Sequence, residues 1–334
     1  MRKLYFLLPG TKGKFSGGGL WAELNTCDLA KQVCTTEVVT YRQKETDRLF
    51  LTDILQQNDL ESCIFVIGWG FDVPKLIQKL KGHNIIYHAH SAGYDFQLPP
   101  DIPIITVSRN TMGYWGQKSP NALIYYFPNQ IGDEFRNLNL VRDIDVLVQT
   151  RKSSEYLLHK LIPALQSRCR VEILDGYVED LAGLFNRSRI YLYDSAEYWR
   201  VSGVSEGFGL PPLEALACGC QVFSSVNHGL ADYLDPGFNC YKIANYCLEY
   251  DLQRILAVLK NTQISTISES CLAQYRPASL IPKLQVILTE INAFFDLRSH
   301  YQSDIPSLNS RRIKRLWLKR AHAKLQKKLG TRDK

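Results

Sequence analysis

The segment Glu206-Gly-Phe-Gly-Leu-Pro-Pro-Leu-Glu214-Ala-Leu-Ala-Cys-Gly219 sets two carboxylates eight positions apart across a glycine-rich turn and a helix start. Gly207 and Gly209 permit positive φ or close approach of the backbone to a ligand. Pro211 and Pro212 suit the first turn of a helix, where a missing N–H costs little, and Gly219 suits its end. A helix starting near Pro211 aims its unpaired N–H groups and the positive end of its dipole at the glycine turn, a setting that favours phosphate. Glu214 is expected in that first turn, accepting hydrogen bonds from the paired hydroxyls of a ribose, and Glu206 on the loop to accept from the hydroxyls of a sugar. The stretch thus reads as a nucleotide-sugar site. The competing reading, a Gly-Pro turn capping a surface helix with two solvated acids, leaves the coincidence of both acids, both glycines, the prolines and the Ala-Leu-Ala-Cys-Gly end unexplained.

Outward from this segment, short apolar runs alternate with longer amphipathic ones, the pattern of an α/β protein with parallel sheets. Strands are expected at 4–8, 37–41, 63–68, 84–88, 104–107 and 123–127, with helices at 20–33, 47–56, 74–81 and 109–116. A second series runs through a strand at 145–149, a helix at 153–167, a strand at 171–174, a helix at 178–186 and a strand at 190–193. It ends with the helix of the quoted segment and a strand at 221–225. The break falls at the polar stretch 129–142, and 334 residues suffice for two cores.

The quoted segment resembles the signature of the retaining nucleotide-sugar glycosyltransferases of GT-B fold, the Glu-x7-Glu group also called glycosyl transferases group 1. The resemblance implies two Rossmann-like domains with a donor cleft between them: 1–140 on the acceptor side and 141–279 binding the donor. It also implies a crossover helix at 280–295 packed on the first domain, with 296–334 a linker and basic amphipathic tail. Phe127-Pro128-Asn129 is similar to the Pro-Asn segment that closes the first domain in this family. The implied activity moves a sugar from a nucleoside diphosphate to an acceptor hydroxyl with retention at the anomeric carbon. It serves glycan, polysaccharide or glycolipid synthesis and needs neither cofactor nor bound metal, the nucleotide sugar being a co-substrate.

Candidate site residues follow on both sides of the break. Gly10-Thr-Lys-Gly-Lys-Phe-Ser-Gly17-Gly18-Gly19 lies between a first strand and a helix, where Gly17 and Gly18 would bring backbone amides to the donor and Lys12 or Lys14 would add charge if the loop folds inward; a flexible surface turn is the alternative. His88 and His90 share one face at a strand's carboxyl end; the resemblance implies a histidine here that meets the donor sugar or acceptor, and His90, at the exit, is the one expected to do so, a pair of structural histidines being the alternative. A metal pair is not expected there, because no acidic or cysteine ligand lies at a recognisable spacing. Arg151 and Lys152 follow the first strand of the second series. By resemblance they contact the donor diphosphate, although the family's arginine and lysine are several residues apart and preceded by glycine, which leaves open which side chain takes which role; a solvated basic turn is the alternative. Donor contacts are expected from Gly207, Phe208, Gly209, Leu210 and Glu214, and catalytic roles from His90, Glu206, Arg151 and Lys152. Tyr198, Trp199 and Arg200 border the pocket or pack in the core. Asp143-Ile144-Asp145 precedes its strand, whereas a cleft ligand should follow one, so it reads as solvated and not as a metal site.

Nine cysteines without a CxxC set argue against metal or disulfide use and for reduced thiols. No apolar run spans a bilayer, and 1–10 reads as a buried strand and not a signal peptide, so a cytoplasmic protein is expected. The formal charge is +7, but 311–330 holds nine Lys/Arg and no acid, and with the last four residues carries +10, which leaves −3 over 1–310. The stripe Ile313, Trp317, Ala321, Leu325 and Leu329 on that basic segment resembles an interfacial helix for an anionic membrane, bringing a lipid-linked acceptor to the cleft. A solvated end or a helix packed on the body are the alternatives, and no nucleic-acid partner is expected, since no such module accompanies the charge. Two other functions stay open: an epimerase or phosphorylase on the same fold, and a catalytically silent partner that binds a nucleotide sugar or glycan.

Overall fold

The computed structural model describes residues 1–15, 17–57, 59–261, 267–298 and 300–330. Ser16 of the first glycine loop, residues 262–266 of the second half, Ser299 of the linker and residues 331–334 of the tail lie outside the described residues, as does the side chain of Leu329. Strands β1 (Lys3–Leu8), β2 (Thr36–Thr40), β3 (Leu49–Phe50), β4 (Cys63–Ile67), β5 (Asn84–Ala89), β6 (Ile104–Thr106) and β7 (Ile124–Tyr126) form one sheet. It is parallel, in the order β3-β2-β1-β4-β5-β6-β7. Strands β8 (Ile144–Gln149), β9 (Val171–Leu174), β10 (Ser188–Tyr193), β11 (Gln221–Ser224) and β12 (Cys240–Lys242) form a second parallel sheet, in the order β12-β11-β10-β8-β9. The first half contributes helices α1 (Gly18–Lys31), α2 (Leu51–Ile54), α3 (Val73–Lys79) and α4 (Arg109–Lys118). The second contributes α5 (Ile162–Gln166), α6 (Leu181–Arg187), α7 (Ala196–Ser202), α8 (Leu210–Ala217), α9 (Leu248–Lys260) and α10 (Glu269–Leu272). Two long helices, α11 (Pro277–Arg298) and α12 (Ser310–Gly330), end the chain.

Parallel strands need cover on both faces, and β1 shows how its sequence meets that need. Leu4, Phe6 and Leu8 point into one apolar cluster while Tyr5 and Leu7 point into the other. Strand order reverses between β1 and β4 in the first sheet and between β8 and β10 in the second. Ligands of open parallel sheets bind beyond the strand ends at such points.

Several elements differ from expectation for identifiable reasons. The helix expected at 47–56 shrinks to α2 because Leu49 and Phe50 pair with β2. The one expected at 153–167 opens into a π turn over Leu157–Leu161 before α5, just ahead of Pro163, whose ring cannot accommodate an ordinary turn below it. Helices α7 and α9 and strand β12 have no counterpart in the sequence reading.

The chain crosses between halves twice, side by side. The Ile131 N–H donates to the Tyr275 carbonyl at 3.0 Å, and the Arg276 guanidinium donates to the carbonyls of Gly132 and Phe135 at 2.7 and 2.8 Å. Helix α11 then returns to the first sheet, where Leu284, Leu288, Ile291 and Phe295, at helical spacing, join the cluster of Leu4, Phe6 and Leu8. The last helix is different: Ile313, Trp317 and Leu325 are exposed. A bond from the Leu308 N–H to Asn121 Oδ1 at 2.8 Å holds the segment that leads to it. Ile313, Trp317 and Leu325 of the apolar stripe are thus not packed on the body.

Ile291→Ala leaves a cavity in the first half's core and is expected to cost about 3 kcal/mol. Leu325→Ala, on an exposed face, should change stability by less than about 0.5 kcal/mol. Denaturant unfolding of the two variants measures the contrast.

Candidate active site

A cavity of 420 Å³ lies between the two sheets, at the carboxyl ends of the strands where both orders reverse. Two helix N-termini meet it. Gly18 and Gly19 begin α1 on one side, and Gly209, Leu210 and Pro211 begin α8 on the other. Gly209 caps α8 at φ 79°, and a Cβ there would sit 2.3 Å from Leu230 Cδ2. At the far end of α8 the Gly219 N–H donates to the Leu216 carbonyl and the Cys220 N–H to that of Ala215, a glycine-terminated helix end that satisfies both carbonyls.

Backbone meets backbone across the cleft. A Cβ on Gly207 would lie 1.5 Å from the His90 carbonyl oxygen, and one on Gly93, at φ 98°, would lie 2.6 Å from the Gly203 carbonyl oxygen. Ser91 Oγ donates to the Ser205 carbonyl at 2.6 Å, the Ala92 N–H donates to Ser205 Oγ at 2.8 Å, and the Ser205 N–H donates to the Ala92 carbonyl at 3.0 Å. The loop leaving β5 is therefore stitched to the loop that precedes α8.

Glu206 is buried at the cavity wall, where the Tyr193 hydroxyl and the Trp199 indole N–H both donate to its Oε2 at 2.6 Å. Oε1 has no hydrogen bond among the described residues. Trp199 also carries the Lys152 ammonium 4.3 Å from a ring centroid. Burial lowers the Lys152 pKa while Glu206 opposes that shift. Lys152 has a left-handed backbone, φ 66°, an uncommon conformation for a side chain of this size. Arg151 lines the same wall and spans the cleft, its Nη2 lying 3.4 Å from where a Cβ of Gly17 would be. Asn129 Oδ1 is buried at the cavity without a hydrogen-bond partner among the described residues.

From the first half, His90 lines the cavity and His88 lies buried behind it. Both bond to Glu23, a residue not expected from sequence. Its Oε2 is 2.6 Å from His88 Nδ1 and 2.5 Å from His90 Nε2. Burial opposes the charge of Glu23, but the two histidines outweigh it and draw the carboxyl down to about 2. Burial lowers the His90 pKa, with His88 reinforcing and Glu23 opposing. An acidic partner for the pair is thus present, contrary to the expectation from spacing. The available signal was that Glu23, Thr26, Cys27 and Ala30 form the buried stripe of α1, so a carboxylate there had to be held by something.

Other expectations are corrected. Because α8 begins at Leu210, Glu214 falls in its second turn, outside the residues lining this cavity. Desolvation, with the Glu134 carboxylate adding to it, pushes its pKa up to about 8. Lys12 turns outward to pair with Asp47 at 3.2 Å, and Lys14 lies over the ring of Phe15, so neither reaches the cleft. Asp143 pairs with Arg170 and Arg187 at 2.9 and 2.6 Å. Asp145 accepts from the Arg170 N–H at 2.9 Å, so both aspartates are engaged at the amino end of β8. Gly17 itself does not line the cavity, while Phe208 is buried in its wall. On the other side of Trp199 a second groove of 610 Å³ opens between α4 and α7, with Arg109, Tyr114, Arg200 and His228 along it.

Two helix N-termini, two cations and a hydrogen-bonded carboxylate around one cleft form a site for an anionic, hydroxyl-rich ligand. Residues 134–266 match the family described as Glycosyl transferases group 1. The segment so matched carries Arg151, Lys152, Glu206 and the start of α8. No curated protein matches the chain in sequence. Among solved structures it is similar to a sucrose-phosphate synthase from Thermosynechococcus elongatus, at 14% identity over 88% of this chain and 100% of that one, TM-score 0.63. Anabaena HepE in complex with UDP-glucose is similar at 15% identity over 87% and 100%, TM-score 0.64. A glycosyltransferase from Rickettsia africae is similar at 13% identity over 87% and 98%, TM-score 0.63. These likenesses establish the GT-B fold.

Since Glu214 holds its proton in the folded state up to about pH 8, the fold loses stability relative to the unfolded chain as pH rises from the ordinary carboxyl range through 8. Glu214→Gln is expected to raise the melting temperature by roughly 5 °C at pH 8 and by much less at pH 5, measured by thermal unfolding at both.

Proposed function

We propose that the protein transfers a sugar from a nucleoside diphosphate to an acceptor hydroxyl with retention at the anomeric carbon, in glycan, polysaccharide or glycolipid synthesis. In this reading residues 1–140 form the acceptor side, 141–279 bind the donor, and 280–295 are the crossover that ties the last segment to the first domain. The observation that carries it is the cavity on which Arg151, Lys152, Glu206, His90 and the N-termini of α1 and α8 converge. Likeness to HepE, crystallised with UDP-glucose, supports a uridine diphosphate donor.

The bond between the anomeric carbon and the diphosphate breaks while the acceptor oxygen bonds to that carbon on the same face, and the acceptor proton passes to a leaving phosphate oxygen. Arg151, Lys152 and the two helix N-termini meet the charge that develops on the diphosphate, so the mechanism needs no divalent cation. Glu206 Oε1 accepts from the sugar hydroxyls, its other oxygen being fixed by Tyr193 and Trp199. His90 meets the reacting sugar or the acceptor. Closure of the halves excludes water. The acceptor enters by the neighbouring groove, which Trp199 separates from the donor.

Incubation with a panel of nucleotide sugars, read as released nucleoside diphosphate and glycosylated product, tests this. Arg151→Ala and Glu206→Ala are each expected to lower turnover by about 100-fold or more. Undetectable turnover in the parent, with both variants keeping full function in cells, would overturn the reading in favour of a silent binding partner.

The exposed, acid-free helix α12 supports peripheral attachment to the cytoplasmic face of an anionic membrane, each cation near the surface contributing about 1 kcal/mol. No described helix is long and apolar enough to cross a membrane. In flotation with vesicles containing phosphatidylglycerol, the full chain is expected to float and the chain lacking 311–334 to stay behind. Equal flotation would end the anchor proposal.

A further inference from the structure

Glu23 has no part in the transfer as described above, yet its position decides the chemistry that His90 can offer. Its carboxyl is ionised and has only acceptor atoms, so each ring nitrogen within hydrogen-bond distance of it must carry the hydrogen: His88 Nδ1 at 2.6 Å and His90 Nε2 at 2.5 Å. The carboxylate is well placed to enforce this. It projects from the buried stripe of α1, and Gly68 leaves it room, since a Cβ there would come within 3.0 Å of Oε1. With both donors converging on Oε2, the bond to His88 anchors the carboxylate and the bond to His90 uses it.

We propose that Glu23 is a positioning residue that locks His90 in the tautomer protonated on Nε2, so that His90 presents a bare Nδ1 to the cleft. His90 Nδ1 has no hydrogen bond to the protein among the described residues, and the ring lines the cavity. Burial favours the neutral ring, which leaves that nitrogen a lone pair. A lone pair there accepts from a hydroxyl and repels the oxygens of a carboxylate or phosphate. Resting on the nucleotide-sugar reading, it follows that the group received by His90 is a hydroxyl of the transferred sugar or acceptor, and that a carboxylate at that point is rejected. The same three side chains have ligand atoms within 4.8 Å of one another, within reach of a cation. The 2.5 and 2.6 Å separations, however, are hydrogen-bond lengths, whereas ligands on one tetrahedral zinc stand about 3 Å or more apart.

Long-range ¹H–¹⁵N correlation spectra of the full chain labelled in histidine report which ring nitrogen is protonated, with His90→Asn identifying the His90 signals. At pH 7 the parent is expected to show His90 protonated on Nε2 and bare on Nδ1. In Glu23→Gln, whose amide can donate as well as accept, both tautomers should appear. Release of nucleoside diphosphate in that variant should fall about 100-fold with the donor KM changed less than threefold, less than the roughly 10⁴-fold loss when the carboxylate partner of a general-base histidine becomes an amide, because His90 receives a hydroxyl and takes no proton. A parent His90 protonated on Nδ1, an unchanged tautomer in Glu23→Gln, or stoichiometric zinc binding that displaces both ring protons would overturn the assignment. The parent spectrum needs neither a folded variant nor turnover. Absent turnover with the expected tautomer would therefore count against the transfer reading alone.

Discussion

The contact on which the site depends is one of backbone against backbone, where the loop leaving β5 meets the loop that leads into α8. The His90 carbonyl lies where a side chain on Gly207 would have to be, and Ser91, Ala92 and Ser205 close the join with hydrogen bonds. Side chains on either glycine would hold the two halves apart by their own thickness. Their absence brings two sheet ends close enough for one ligand to touch both. A residue with no side chain thus decides whether His90 and Glu206 belong to one site or to two half-sites.

Each half brings to that junction one buried carboxylate with one oxygen shared by two ring-borne donors. In the second half the pair is the Tyr193 hydroxyl and the Trp199 indole, and in the first it is the two imidazoles. A buried carboxylate is costly unless it is fully bonded, and two donors on one oxygen offset that cost while fixing the orientation of the group. Neutral hydroxyl and indole donors leave Glu206 an acceptor toward whatever fills the cleft. Imidazole donors make Glu23 a means of setting the state of His90. The same local solution therefore yields a contact in one half and a control on a contact in the other.

What was legible in the sequence was what covalent geometry restricts. Pro211 and Pro212 fix φ, Gly209 and Gly219 admit the positive φ found at the two ends, and the helix they delimit lies within a residue of its expected start, closed by the expected glycine. That single residue still mattered, because starting at Leu210 moves Glu214 from the first turn to the second and away from the cavity wall. Most strands of both sheets were legible because buried parallel strands are continuous apolar runs, whereas β3 and β12 are two and three residues long and are defined by their partners β2 and β11. Glu23 was not legible, for its partners lie 65 and 67 residues away and only the parallel pairing of β1, β4 and β5 brings α1 over them. Lys12 and Lys14 failed as charge donors for the complementary reason: Glu45 binds the Thr11 N–H and hydroxyl, which turns the loop outward toward Asp47.

The path of the chain explains how such a junction stays in register. After building the second sheet the chain returns through Tyr275 and Arg276, bonded to the outgoing strand of chain at Ile131, Gly132 and Phe135, and then buries α11 in the first half's core. Two separate crossings at distant points would fix the halves rigidly, and one crossing alone would leave them free to twist. Crossings bonded side by side act as a single seam, and the bonds of Ser91 and Ala92 to Ser205 hold the halves together along a second line. Burial of α11 in the first core thus reaches the site through the seam it anchors, and not through any side chain that touches the ligand.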